Sequence, residues 1–153
     1  SSHQIENAVG VMVEGKPHLL FASGEGFKAE RARDVTKEAG KLMLIQRDGS
    51  DPLGPRPYPE HPKVQVIGLR NPPDLVINQF DPAHRIGIVD TGPDHFDRFI
   101  YGQFFPTTAP AKPFDLQWDG TEASLQKDVA DVNTAGEPEF YTGVEEMGIV
   151  SVT

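Results

Sequence analysis

The sequence predicts a mainly β fold, an antiparallel sandwich or barrel with one or two short helices and long proline-rich loops. The first observation is a series of short runs rich in Val, Ile, Phe and Tyr, each bounded by Pro, Gly or Asp. The second is the spacing of about ten residues between run starts in the middle of the chain, the rhythm of an antiparallel sandwich. The third is composition. With 14 prolines and 15 glycines among 153 residues, about a fifth of the chain is turn-forming, against roughly 12% on average. The hydrophobic fraction is still 37%, which suits many strands with fixed turns. The length suits one domain, 1–153, with a single core.

The elements follow in order. Ala8 to Val13 and His18 to Ala22 are apolar runs split by Glu14-Gly15-Lys16-Pro17, which reads as a hairpin. Glu30 to Ala39 has helical spacing of Ala32, Val35 and Ala39, with Gly40 as its stop. Lys41 to Arg47 is a third strand, ended by Asp48-Gly49. Asp51 to Pro62 holds five prolines. Without N–H groups at those positions it cannot join a central ladder, so 51–62 is expected to be an extended surface loop. Lys63 to Arg70, Leu75 to Phe80, Arg85 to Asp90 and Arg98 to Phe105 read as four more strands. Ile86 and Ile88 share one face of theirs. Phe99, Tyr101 and Gln103 share one face of the next, with Ile100 and Phe104 opposite. A second extended link spans 106–113. At Leu116 to Glu122 a tight hairpin competes with a helix over Glu122 to Val132. The helix is preferred, because Leu125, Val129 and Val132 recur at i, i+4, i+7 and Asp119 to Glu122 has capping-box spacing. Met147 to Val152 is expected as a last strand.

Several function classes are disfavoured by what the chain lacks. It has no cysteine, so disulfides, thiolate metal sites and a cysteine nucleophile are excluded. The formal net charge of −9 repels nucleic-acid phosphates and anionic membranes. It favours solubility or a basic partner surface. No apolar run reaches the ~18 residues of a membrane helix, and no targeting pattern opens the chain. With no cysteine and no glycosylation sequon, an intracellular or virion setting is expected.

Three constellations carry candidate chemistry. His18 to Ala22, then Gly24-Glu25-Gly26, the 30–39 helix, a strand and Asp48 resemble the first unit of a Rossmann dinucleotide-binding domain. The resemblance implies that Gly24 and Gly26 admit a pyrophosphate and that Asp48 meets a ribose hydroxyl. The alternative is a glycine turn. Apolar residues leading into Asp90-Thr91-Gly92 are similar to the catalytic loop of aspartic proteases, which implies Asp90 as one of a carboxylate pair in a homodimer. The alternative is an ordinary turn after a strand. The five histidines (His3, His18, His61, His84, His95) never stand at His-x-His or His-x-x-x-His spacing, so they read as loop or surface residues, the alternative being ligands that converge on a metal from separate strands, with Asp90, Asp94 and Asp97 nearby.

No cofactor is called for beyond the dinucleotide alternative. The aromatics Phe96, Phe99, Tyr101, Phe104, Phe105 and Trp118 form a candidate contact surface for another subunit, with core packing as the alternative. Compact β architecture, rigid proline arms and an acidic surface together suggest a non-enzymatic assembly subunit of the virion-decoration or tail type. It would be a homo-oligomer or bind a basic partner. An enzyme acting through the glycine loop or Asp90 is the second reading. The third is a carbohydrate-binding module in which Trp118 or Tyr58 stacks on sugar.

Overall fold

A computed structural model describes residues 5–78, 80, 85–93, 96–102, 114–125 and 138–145. The fold is mainly β, built as two open sheets packed sandwich-like, and is not a closed barrel. The first sheet has the order β1-β2-β3-β4-β8, formed by β1 (Ile5–Val13), β2 (Lys16–Ser23), β3 (Lys41–Gln46), β4 (Val64–Ile67) and β8 (Phe114–Asp115). The second has the order β5-β6-β7-β9, formed by β5 (Asp74–Ile77), β6 (Ile86–Asp90), β7 (Phe96–Gly102) and β9 (Pro138–Glu145). All ladders are antiparallel except β4 with β8, which is parallel.

The first hairpin forms where the turn residues place it. Val13 pairs with Lys16, and Glu14 and Gly15 take φ of 49° and 74°, the two positive angles of a type I′ turn. Alternation then sorts the side chains. Val9, Val11 and Val13 face inward, while Ala8, Gly10 and Met12 face out. The inward face joins Leu20, Ala22, Leu42, Leu44 and Val66 of the first sheet, with Leu69 just beyond β4, to Leu75, Ile86, Ile88 and Ile100 of the second, and this is the main core. Each fully buried side chain of this kind contributes roughly 1.5–3 kcal/mol. A smaller cluster of Met43, Tyr58, Val64 and Ile67 covers the opposite face of the first sheet.

Three expectations are corrected. The helix expected over 30–39 is only Glu30–Arg33. Asp34 turns extended (ψ 103°) and its carboxylate accepts from the Thr36 amide at 3.0 Å and the Thr36 hydroxyl at 2.7 Å, a local bond that competes with helix continuation. The 51–62 segment forms no strand, as its prolines require, but it is no free arm. Pro52, Pro57 and Tyr58 are buried, and the Tyr58 hydroxyl donates to Phe114 O at 2.6 Å. His18 holds the same segment, accepting at Nε2 from the Leu53 amide (3.1 Å) while Nδ1 faces Lys16 O (2.9 Å). Finally, β9 is a strand where none was expected. The second helix is described as Glu122–Leu125. The rest of its expected range, the 106–113 link and the strand expected over 147–152 lie outside the described residues.

Candidate functional site

Strand register gathers several loops at one end of both sheets. Ser23 pairs with Ile5 and Lys41, and Lys41 pairs with Ile67, so β2 and β4 end where β3 begins. β8 runs parallel to β4 and delivers Leu116 to Trp118 to the same end. In the second sheet Asp74 pairs with Val89 and Asp90 with Arg98, so β5 begins where β6 ends. Main-chain bonds tie these loops together. Glu25 N donates to Arg70 O (2.8 Å), Gly68 N to Ala32 O (2.8 Å), Thr91 N to Asn71 O (3.0 Å) and Trp118 N to Gly68 O (3.1 Å). Gly68 has φ 84°, and a Cβ there would stand 2.5 Å from Gln117 N, so only glycine admits this crossing.

Asp90 and Arg98 form a buried ion pair at the centre, 0% and 1% exposed. The Asp90 carboxylate accepts from Arg98 Nε (3.2 Å) and Nη2, from Arg70 N (3.0 Å) and from Asn71 N (2.7 Å). Arg98 also donates to Gly68 O (3.1 Å) and Leu116 O, which joins the two sheets. Excluded from solvent and engaged by the Arg98 guanidinium and two main-chain amides, Asp90 is a structural acceptor and not a water-activating carboxylate. The aspartic-protease alternative is corrected on that ground.

The dinucleotide alternative is corrected by topology. β2 and β3 are antiparallel neighbours, whereas a Rossmann unit needs parallel strands joined by a crossover helix. Gly24 and Gly26 lie at the gathered end. Asp48 lies beyond the opposite end of β3, at about 3.3 Å per residue roughly 20 Å away. There it is exposed and accepts from the Ser50 amide (3.0 Å) and hydroxyl (2.6 Å). Those bonds hold its carboxyl below the usual range.

The aromatic set divides. Trp118 is 4% exposed, with the Arg70 guanidinium carbon 5.6 Å from its ring centroid, a cation–π distance. Phe99 and Tyr101 are half-buried. The Phe99 ring lies where a Cβ on Gly87 would stand, 3.1 Å away, and Tyr101 Oη accepts from Asn78 Nδ2 at 3.2 Å. The side chain of Phe96, and Phe104 and Phe105 altogether, lie outside the described residues. Among the described residues no group of three His, Asp or Glu is placed to hold a metal ion.

Apart from Asp90 and Trp118, the polar residues that build this end are not among the sequence-based candidates. Arg70 Nη1 donates to Thr91 O (2.7 Å) and Gly92 O (2.8 Å). Its Nε is buried with no acceptor among the described residues, as is the indole Nε1 of Trp118. Glu25 is 3% exposed, and its carboxylate accepts from the Lys28 amide. Lys41, fully buried, donates from Nζ to Arg31 O (2.7 Å), Ala32 O (2.8 Å) and Ala39 O (2.7 Å). Burial pushes its ammonium down to about 8. A usable signal existed for Arg98. It shares a strand face with Ile100, and a charge on a core face requires a partner.

No family model matches the chain, and no curated protein matches it. Two solved structures share its fold. One is the soluble aldose sugar dehydrogenase of Escherichia coli in its apo form, with TM-score 0.54 and 23% identity over 73% of this chain and 31% of that one. The other is the PQQ-bound aldose sugar dehydrogenase of Streptomyces coelicolor, with TM-score 0.57 and 20% identity over 82% of this chain and 32% of that one. The chain thus spans about a third of their length. The expectation of a non-enzymatic virion or tail subunit is corrected by this likeness. The 51–62 segment, supposed to be one of its proline arms, buries Pro52, Pro57 and Tyr58, and no described helix is long and apolar enough to cross a bilayer.

Proposed function

We propose that this chain carries part of the reaction centre of a PQQ-dependent sugar dehydrogenase, at the end where the 24–40, 68–73, 91–93 and 116–118 loops meet. The observation that carries the reading is the Arg70–Trp118 corner: two buried N–H donors with no acceptor among the described residues, one on a guanidinium that lies over an indole, 5.6 Å from its centroid. Buried donors of this kind cost roughly 1–3 kcal/mol each when unsatisfied, so their retention favours an acceptor-rich ligand. PQQ is a planar, polyanionic quinone, and a cation beside an aromatic plate suits both properties. Asp90 is neutralised by Arg98, which leaves the Arg70 charge for a ligand.

The two sheets support the same reading. Each contains a run of consecutively numbered antiparallel strands (β1–β4 and β5–β7, completed by β9), the blade pattern of a propeller, in which loops from neighbouring blades converge at one end. Arg70 and Trp118 would hold the quinone, and Asn71 and Glu25 lie beside them in sequence or through the Arg70 carbonyl. When bound, PQQ supplies a two-electron acceptor for oxidation of an aldose.

Trp118 is the only tryptophan, so its fluorescence reports on this corner directly. PQQ is expected to quench it saturably in the full chain. Arg70→Met should weaken the binding at least about tenfold, since a charge-assisted bond contributes roughly 1.5–3 kcal/mol. Absence of saturable quenching in the unmutated protein would refute the reading.

A further inference from the structure

The turn Glu25 to Lys28 holds a bulky, mostly exposed residue in a backbone conformation that side chains disfavour. Gly26 and Phe27 both take positive φ, 68° and 59°. That is the type I′ pattern, favourable for Asn-Gly and unfavourable for a bulky aromatic at the second position. The turn is firmly held. Glu25 N donates to Arg70 O (2.8 Å), Gly40 N donates to Gly24 O (3.1 Å), and the Glu25 carboxylate caps the Lys28 amide. Phe27 is nonetheless 68% exposed, so burial of its ring returns little. A strained residue that presents apolar surface beside a candidate site points to function. Arg31 flanks it, with Nη1 3.6 Å from where a Cβ on Gly26 would stand.

We propose that Phe27 and Arg31 form a sugar-binding platform at the rim of the site. The phenyl face would stack on the C–H face of an aldose ring, and the guanidinium would donate to its hydroxyls. An apolar plate with few convergent polar groups is the usual make-up of a small-molecule site. The substrate class rests on the sugar-dehydrogenase reading above. The position of the platform rests on the Gly26-Phe27 turn, the exposed Phe27 ring and the Arg31 guanidinium beside it.

The test uses the full chain, D-glucose as probe, and the variants Phe27→Gly and Phe27→Trp. Saturation-transfer NMR reads contact between aromatic protons and the sugar, without cofactor. Thermal unfolding reads the strain. Glucose should contact the unmutated chain, Phe27→Trp should keep that contact, and Phe27→Gly should weaken it at least about tenfold. Phe27→Gly should also raise Tm by about 2–4 °C, since glycine takes positive φ without the penalty of a side chain. A fall in Tm would show that the ring is packing material and would overturn the proposal. So would unchanged glucose contact in Phe27→Gly, no contact in the unmutated chain, or loss of self-association as that variant's sole effect. PQQ quenching of Trp118, measured in parallel, separates the two readings. Quenching without glucose contact sinks the platform alone, and glucose contact without quenching sinks the cofactor reading alone.

Discussion

Replacing Asp90 by Ala should bring the protein close to unfolding. The carboxylate accepts from Arg98 through two nitrogens and from the amides of Arg70 and Asn71. Its removal leaves a guanidinium that is 1% exposed with only the carbonyls of Gly68 and Leu116 among the acceptors described here. Breaking a buried pair on one side costs about 3–5 kcal/mol, and each stranded amide adds about 1–3 kcal/mol where water does not enter. A total of at least about 5 kcal/mol is therefore expected where water does not enter, comparable with the roughly 5–15 kcal/mol that holds a whole domain. Arg98→Met should cost less, about 2–4 kcal/mol, because Asp90 keeps its two amide donors. The double variant should be more stable than the sum of the single losses implies, by about 2 kcal/mol or more. Urea unfolding, followed by Trp118 fluorescence and far-UV circular dichroism, gives all three values. A loss under about 1 kcal/mol for Asp90→Ala, or additivity within about 0.5 kcal/mol, would refute a central role for the pair.

Three further outcomes follow from the same geometry. Gly40→Ala should lower the urea midpoint by an amount equivalent to about 2–4 kcal/mol, since the new Cβ would stand 2.6 Å from Ala32 Cα and 2.7 Å from Leu69 O, at φ +70°. Tyr58→Phe removes a buried bond to Phe114 O and should cost about 1–2 kcal/mol, read by calorimetry. Lys41 titrates near 8 in the folded protein and near ~10.4 when unfolded. Between those values the unfolded chain binds more protons, so stability from this group rises with pH, by at most about 1.4 kcal/mol per unit. Urea midpoints from pH 7.5 to 10 should show the rise in the unmutated protein and its absence in Lys41→Met.

The strands were legible where one local rule acted alone. The first hairpin needed only two apolar runs and a turn able to take positive φ, and Glu14-Gly15 supplies it. The short buried strands Val64–Ile67 and Ile86–Asp90 needed only β-branched runs between turn residues. The 30–39 helix misled because periodicity was weighed without Asp34 and Thr36, whose side-chain bonds end it. The candidate site misled for a different reason. Gly24-x-Gly26 and Asp90-Thr91-Gly92 do meet at one end, but the chemistry of each depends on strand direction and burial. No local window contains either quantity. Asp90 reads as a catalytic carboxylate until Arg98, eight residues on and on the core face of the next strand, is seen to neutralise it.

That neutralisation assigns different tasks to two arginines that look alike in the sequence. Arg98 is spent on Asp90 and on carbonyls of both sheets, so its loss should appear as instability. Arg70 spends one nitrogen on Thr91 O and Gly92 O and leaves a buried Nε without an acceptor among the described residues. Arg70→Met trades two loop bonds for the removal of one stranded donor, so the net change in stability should be small, about 1 kcal/mol or less. Under the proposed reading its cost falls on PQQ affinity instead. Arg70→Lys is the sharper variant, because it keeps the charge but loses the planar face over Trp118 and the forked donors. If Arg70 acts only through its charge, Lys should restore binding. If it acts as an oriented plate and donor, Lys should bind PQQ little better than Met. A large loss of stability in either variant, with quenching by PQQ intact, would mean that Arg70 holds the loops together and that the ligand is held elsewhere.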